Sequence, residues 1–196
     1  MPYLPEKVYA ELRRLSMLQE QLTEDRNRNM NRLHREMKIY FPEYKDAFKK
    51  IDGAFCMAVL KEAPFPEDIL KLGAEGIREI WHQAKLRGRG YSRAAEIVKY
   101  AETSIGLKDG TAAGREAVRW FTEKIMELDE ELEEIENRLK EKCKEIPHAE
   151  NVMEIPGIGG KIFRVIYTML KTGKPYDSEK LLKDIQYPEN LQTAVE

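Results

Sequence analysis

Apolar residues recur along this chain at steps of three and four, the spacing that lines one face of a helix. Val8, Leu12, Leu15 and Leu22 follow that rule, as do Met30, Leu33, Met37 and Tyr40. Pro5 suits a first helical turn, where its missing N–H costs nothing, and Pro42 cannot continue a helix. The spacing therefore predicts one long amphipathic helix over 5–41. Its middle, Glu24-Asp25-Arg26-Asn27-Arg28-Asn29, interrupts the stripe with polar groups, as a heptad seam does where register or partner is being specified.

A second stripe is more regular. Val118, Phe121, Ile125, Leu128, Leu132, Ile135 and Leu139 alternate three and four, a coiled-coil seam extended to Ile146 and broken at Pro147. At ~1.5 Å per residue such a helix is on the order of 50 Å long, so it needs a partner of similar length. The helix over 5–41 is the partner within the chain, and these seven residues are the candidate oligomerisation surface for any further copy.

Between the two stripes, residues 43–106 are punctuated by Gly53, Pro64, Pro66, Gly73, Gly88, Gly90 and Gly106. Helices are expected over Ala54–Glu62, from Pro66, over Ala74–Leu86, and from a Ser92 cap onward. This segment brings the chain back, so the two long helices are predicted to be antiparallel. The fold class is all-α: a long antiparallel coiled-coil pair with an inserted small helical subdomain and a C-terminal helical hairpin. The expected divisions are 1–42, 43–110, 111–147, a glycine-rich hairpin and helix over 148–177, and a polar tail over 178–196.

Composition narrows the function classes. Of 196 residues, 35% are charged and 42% apolar, which favours elongated helices over a thick globular core. The net charge of −2 does not by itself announce a nucleic-acid binder, although 26–38 and 85–99 lean basic while 130–136 is mostly Glu. Cys56 and Cys143 lack CxxC spacing, and His34, His82 and His148 lack ligand spacing, so no metal site is expected. The N-terminus has no apolar signal core, and the longest apolar run, Ala54–Leu60, is too short to span a bilayer. A cytoplasmic protein with no membrane partner is expected.

The densest candidate chemistry is Ile155-Pro156-Gly157-Ile158-Gly159-Gly160, followed by Lys161. Glycines there would let backbone N–H groups converge on an anionic oxygen at a helix start, and a tight turn between two helices would read the same way. Arg28, Arg32 and Arg35 fall on one helical face, readable as phosphate contacts or as a solvated surface. Arg87-Gly88-Arg89-Gly90 is either a phosphate cradle or a glycine helix stop followed by a loop. The acidic stretch 127–136 fits the outward faces of the coiled coil.

The order "LPEKVYAELRRL", "NRNMNRLHREMKIYFPEY", an inserted helical module, a charged coiled coil and then "IPGIGG" resembles the middle of the DEDD-type transposases of bacterial insertion sequences, the insertion-sequence-110 family. The likeness runs over about residues 4–160. It implies DNA transposition and recombination guided by an element-encoded RNA, with a divalent metal such as magnesium as the intact family's cofactor. Those enzymes place four acidic residues in a RuvC-like domain ahead of this segment and a serine nucleophile in a C-terminal domain. Neither finds a matching position here, and "KIFRVIYTMLKTGKPYD" resembles the family's extreme C-terminal end. The resemblance therefore implies a truncated form with no catalytic residues and no cofactor of its own, catalytically silent alone. Its expected partners are DNA and guide RNA, contacted through Gly157, Ile158, Gly159, Gly160, Lys161, Arg28, Arg32, Arg35, Arg87 and Arg89, with further copies of itself or an intact transposase. Two alternatives stay open: a subunit acting in trans with such a transposase, and a structural oligomerisation protein with no nucleic-acid role.

Overall fold

The computed structural model describes residues 6–88 and 90–145. Among them are six helices and no strand: α1 (Glu6–Tyr40), α2 (Tyr44–Phe48), α3 (Ala54–Glu62), α4 (Pro66–Gln83), α5 (Tyr91–Glu102) and α6 (Thr111–Lys144). The all-α expectation holds for these residues. The hairpin and tail predicted over 148–196 lie outside them.

The chain divides into two units, Met17–Asn137 and a second composed of Met1–Ser16 with Arg138–Glu196. In the second, Val8, Leu12 and Leu15 are buried, as are Leu139 and Cys143. The Lys142 ammonium lies 2.8 Å from the Glu11 carboxylate, tying α6 to α1 there. Burial raises the Cys143 thiol to about 11, so it stays protonated at neutral pH.

In Met17–Asn137, α1 and α6 run antiparallel. Arg26 meets Asp129, and further along α1 the Tyr40 ring lies beside Gly114, nearer the start of α6. The predicted seam is mostly inside: Val118, Ile125, Leu128 and Ile135 are buried, whereas Phe121 and Leu132 are half-buried. The polar interruption in α1 lies within the seam. Arg26 is half-buried, and Asn29 is buried with its amide nitrogen donating to the Asp25 carbonyl at 2.9 Å.

Helix α1 stops where the sequence requires. Pro42 has no N–H and disfavours helical backbone at Phe41, and the Tyr44 N–H then turns back to the Phe41 carbonyl at 3.0 Å. The short α2 that follows buries Tyr44, Ala47 and Phe48. Helix α3 occupies the predicted span and buries Cys56, Met57, Val59 and Leu60. In α4, Pro66 opens the first turn while the Asp68 carboxylate accepts the Phe65 N–H at 3.3 Å. Gly73, at φ 64° and ψ −176°, breaks this helix into two pieces, matching the two helices expected from Pro66 and from Ala74. Only glycine adopts that backbone without strain. The second piece ends at Gln83 rather than Leu86, and its Trp81 donates Nε1–H to the Phe55 carbonyl at 3.0 Å.

Helix α5 corrects one expectation: Ser92 is not its cap. The helix starts at Tyr91, behind an extended Gly90, with no side-chain cap. The Arg93 N–H reaches the Gly90 carbonyl at 3.1 Å, which places Ser92 already inside the first turn. Ala94, Ile97 and Ala101 are its buried face. One continuous apolar core joins α1–α5 to Val118 and Ile125 of α6.

The two ends of the inserted module are fastened together at Tyr40. Its ring stacks on Phe65 with centroids 4.6 Å apart, and the Leu107 N–H donates to the Ile39 carbonyl at 2.9 Å. A Cβ on Gly106 would lie 2.0 Å from the Tyr40 carbonyl oxygen, and one on Gly114 would lie 2.6 Å from the Tyr40 ring. No side chain fits at either place. Arg115 completes the junction, with its Nε 2.8 Å from Asp68 Oδ2 and its Nη2 3.0 Å from Glu67.

Candidate nucleic-acid interface

Among the described residues, the predicted arginine row lies on the outward face of α1. Arg28, Arg32 and Arg35 recur at helical neighbour spacing opposite buried Met30, Leu33 and Met37, so the apolar stripe that fixes the helix also turns these guanidinia outward. They differ in how free they are. Arg28 has Nη2 3.1 Å from Asp25 and 3.4 Å from Glu24, carboxylates of its own helix. The Arg35 side chain is 70% exposed, with its Nε 4.0 Å from neighbouring Glu36. Arg32 is exposed and makes no ion pair among the described residues.

Two lysines that the spacing of arginines alone does not reveal enlarge this face. His34 is held below its ordinary pKa, first by burial and then by the positive charges of Lys45 and Lys38. Its ring Nδ1 sits 2.6 Å from the hydroxyl of buried Tyr44. Lys38 is the next step after Arg35 on α1, a signal present in the sequence. Lys45 arrives only because the turn after Pro42 folds α2 back beside His34, which periodicity does not encode.

Of the remaining candidate contacts, only Arg87 lies among the described residues. Arg87 is exposed in the turn between α4 and α5, next to Gly88 at φ 97°. No hydrogen bond or ion pair joins it to α1 among the described residues. Arg89, Gly157, Ile158, Gly159, Gly160 and Lys161 lie outside the described residues.

Helix α6 has the opposite character. Glu116, Glu123, Glu127, Glu130, Glu131, Glu133 and Glu134 are exposed, while Lys124 offsets Glu127 at 3.1 Å and Lys61 lies 3.8 Å from Glu123. The exposed surface of α6 is thus mostly acidic, where residues 28–38 of α1 are mostly basic. Among the described residues no group of three or more His, Cys, Asp or Glu gathers in a form that could hold a metal ion, so the metal implied for the intact transposase family finds no donor set there. No helix among them is long and apolar enough to cross a membrane. No protein-family model, curated protein or solved structure matches this chain.

Proposed function

We propose that this chain is the nucleic-acid-contacting and self-associating helical region of a DEDD-type insertion-sequence transposase, carried without a catalytic centre in these residues. Its ligand in this reading is DNA, with guide RNA as a second polyanion, held by phosphate contacts rather than base contacts. The supporting observation is the exposed cationic row of α1, with Arg32 and Arg35 on the helix and Lys38 and Lys45 gathered near His34. The order of sequence segments shared with that family supplies the reaction context.

The test is a salt series. Binding of a labelled duplex, followed by anisotropy, should weaken steeply with salt, and Arg32→Ala with Arg35→Ala should reduce the log–log slope by about 2, near 0.9 per lost phosphate contact. Binding that ignores salt, or a double variant with an unchanged slope, refutes the assignment. The purified chain is also expected neither to cut nor to join DNA in magnesium.

A second reading, a structural helical protein with no nucleic-acid role, has its own observation. Arg28 is neutralised within its own helix, and the α6 surface is acidic. Absence of duplex binding at low salt would favour it.

A further inference from the structure

The turn at Pro42 is a hinge between α1 and α2, and a histidine stands across it. Pro42 cannot continue α1, and α2 has five residues, too few to hold a helix by themselves. Packing therefore decides whether α2 stays seated. Tyr44, its first residue, is wholly buried, and its hydroxyl lies 2.6 Å from Nδ1 of half-buried His34 on α1. The other fastenings of this segment lead elsewhere: Glu43 is turned to Ser104, and Arg93 of α5 donates to the Ala47 carbonyl. Among the described residues, the Tyr44–His34 bond is the one side-chain hydrogen bond between α2 and α1.

That bond has a direction. A buried hydroxyl must donate its proton or lose the hydrogen bond that it makes in water. Among the described residues Tyr44 has no other hydrogen-bond partner, so it donates to Nδ1, and the neutral ring carries its own proton on Nε2. Cys56 of α3 stands near the same hydroxyl as a thiol that burial keeps protonated. A proton added at Nδ1 turns the acceptor into a donor and leaves the Tyr44 O–H with nothing to receive it. The surroundings act in the same sense. Burial opposes a positive ring first, Lys45 on α2 and Lys38 on α1 oppose it next, and Asp52, ahead of α3, works the other way.

We propose that the neutral His34 ring is the latch that seats α2 against α1, and that a proton on this ring releases the Tyr44 side of α2 in mildly acid solution. The seated form binds that proton less well than the released one. The latch is therefore complete above the ordinary imidazole pKa and is lost as pH falls through the lower value of the folded ring. It does not depend on any nucleic-acid role.

NMR of the full chain tests this. Nitrogen-15 shifts of the neutral ring should show Nδ1 bare and the proton on Nε2, and His34 should titrate below a free imidazole. The Asp46 and Ala47 amides both bond the Glu43 carbonyl at 3.0 Å and report whether α2 is seated. Between about pH 7.5 and about pH 5 their exchange protection should fall about threefold or more relative to Ile97 in the core of α5. Glu43, whose carboxyl is held below the ordinary value, stays ionised over most of this range. His34→Asn places an amide oxygen near the position of Nδ1 and cannot titrate, so it should abolish the fall. A proton on Nδ1 of the neutral ring overturns the proposal, as does a ring that titrates at or above the free value. So does protection that stays flat, that falls equally at Ile97, or that falls unchanged in His34→Asn. If that variant does not fold, the tautomer and titration of the wild-type ring still decide.

Discussion

The inserted module and the α1–α6 seam bury polar groups in opposite ways. In the module, the polar atoms that reach the interior are answered. Trp81 donates to the Phe55 carbonyl, Tyr44 shares a hydrogen bond with His34, and Arg93 reaches both the Ala47 carbonyl and Glu96. In the seam, Arg26 is paired with Asp129, yet Asn29 Oδ1 and Thr122 Oγ1 are buried without a partner among the described residues. The module's interior is organised for stability, since apolar burial there carries no uncompensated desolvation. The seam gives up some stability. A polar layer in a helix pair is well suited to fixing register, because a slip leaves its charged members facing apolar neighbours.

The sharpest test of the module side is Trp81→Ala. The indole is 2% exposed and packs edge-on against Phe55 with centroids 5.5 Å apart. Removing it leaves a cavity and should cost about 3–5 kcal/mol, read as a shift in the urea midpoint. A loss below about 1 kcal/mol would show that the module does not depend on this core.

On the seam side, Asp129→Ala should cost about 1–2 kcal/mol, because it strands a half-buried guanidinium whose only other carboxylate among the described residues, Asp52, is 4.0 Å away. The informative variant is the pair Arg26→Met with Asp129→Leu. If the pair chiefly sets register, this double change recovers most of the stability while amide NMR spectra broaden or double as alternative registers become populated. Full stability with a single sharp set of resonances would show that the apolar seam alone fixes the register.

These contrasts follow how much of the molecule is legible in its sequence. Both long helices and the break at Gly73 can be read from spacing and punctuation, because each is a local signal. The five-residue α2 is too short to display a period, and an exposed serine two residues after Gly90 imitates a cap that the backbone does not use. The Arg26–Asp129 and Glu43–Ser104 pairs join residues 103 and 61 positions apart, and nothing local marks either. The candidate interface divides in the same way. The row Arg28, Arg32, Arg35 is legible, and so is the neutralisation of Arg28, since Glu24 and Asp25 stand four and three residues before it. The arrival of Lys45 depends on a tertiary turn.

A smaller effect separates the unpaired hydroxyl from its helix. Thr122 is fully buried in the seam, and its Oγ1 finds no hydrogen-bond partner among the described residues. Thr122→Val keeps the branched shape and removes the desolvated oxygen, so it should stabilise the chain by roughly 0.5–1 kcal/mol in thermal unfolding. Destabilisation would mean that the hydroxyl has a partner in solution, and the seam would then be as well satisfied as the module.

The smallest expected effect is a pH response at the loop that closes the module. Burial pushes the Glu43 carboxyl up, but hydrogen bonds from the Ser104 hydroxyl, the Ile105 N–H and its own backbone N–H outweigh it and leave the pKa below the ordinary carboxylate value. With the folded value depressed, the unfolded chain binds the proton more readily. The carboxylate's contribution is therefore complete above the unfolded pKa and disappears as pH falls through the folded one. Because Glu43 is only half-buried, that contribution should stay under about 1 kcal/mol. It should appear as a loss of hydrogen-exchange protection at Ile105 and Leu107 in the acid range, with the wild-type protection profile flattening in Glu43→Gln. If protection at Leu107 persisted through acid while Ile105 lost its own, the bond to the Ile39 carbonyl would hold the loop without the clasp. The module's closure would then rest on backbone and packing alone, like its core, and not on a charged group like Arg26 of the seam.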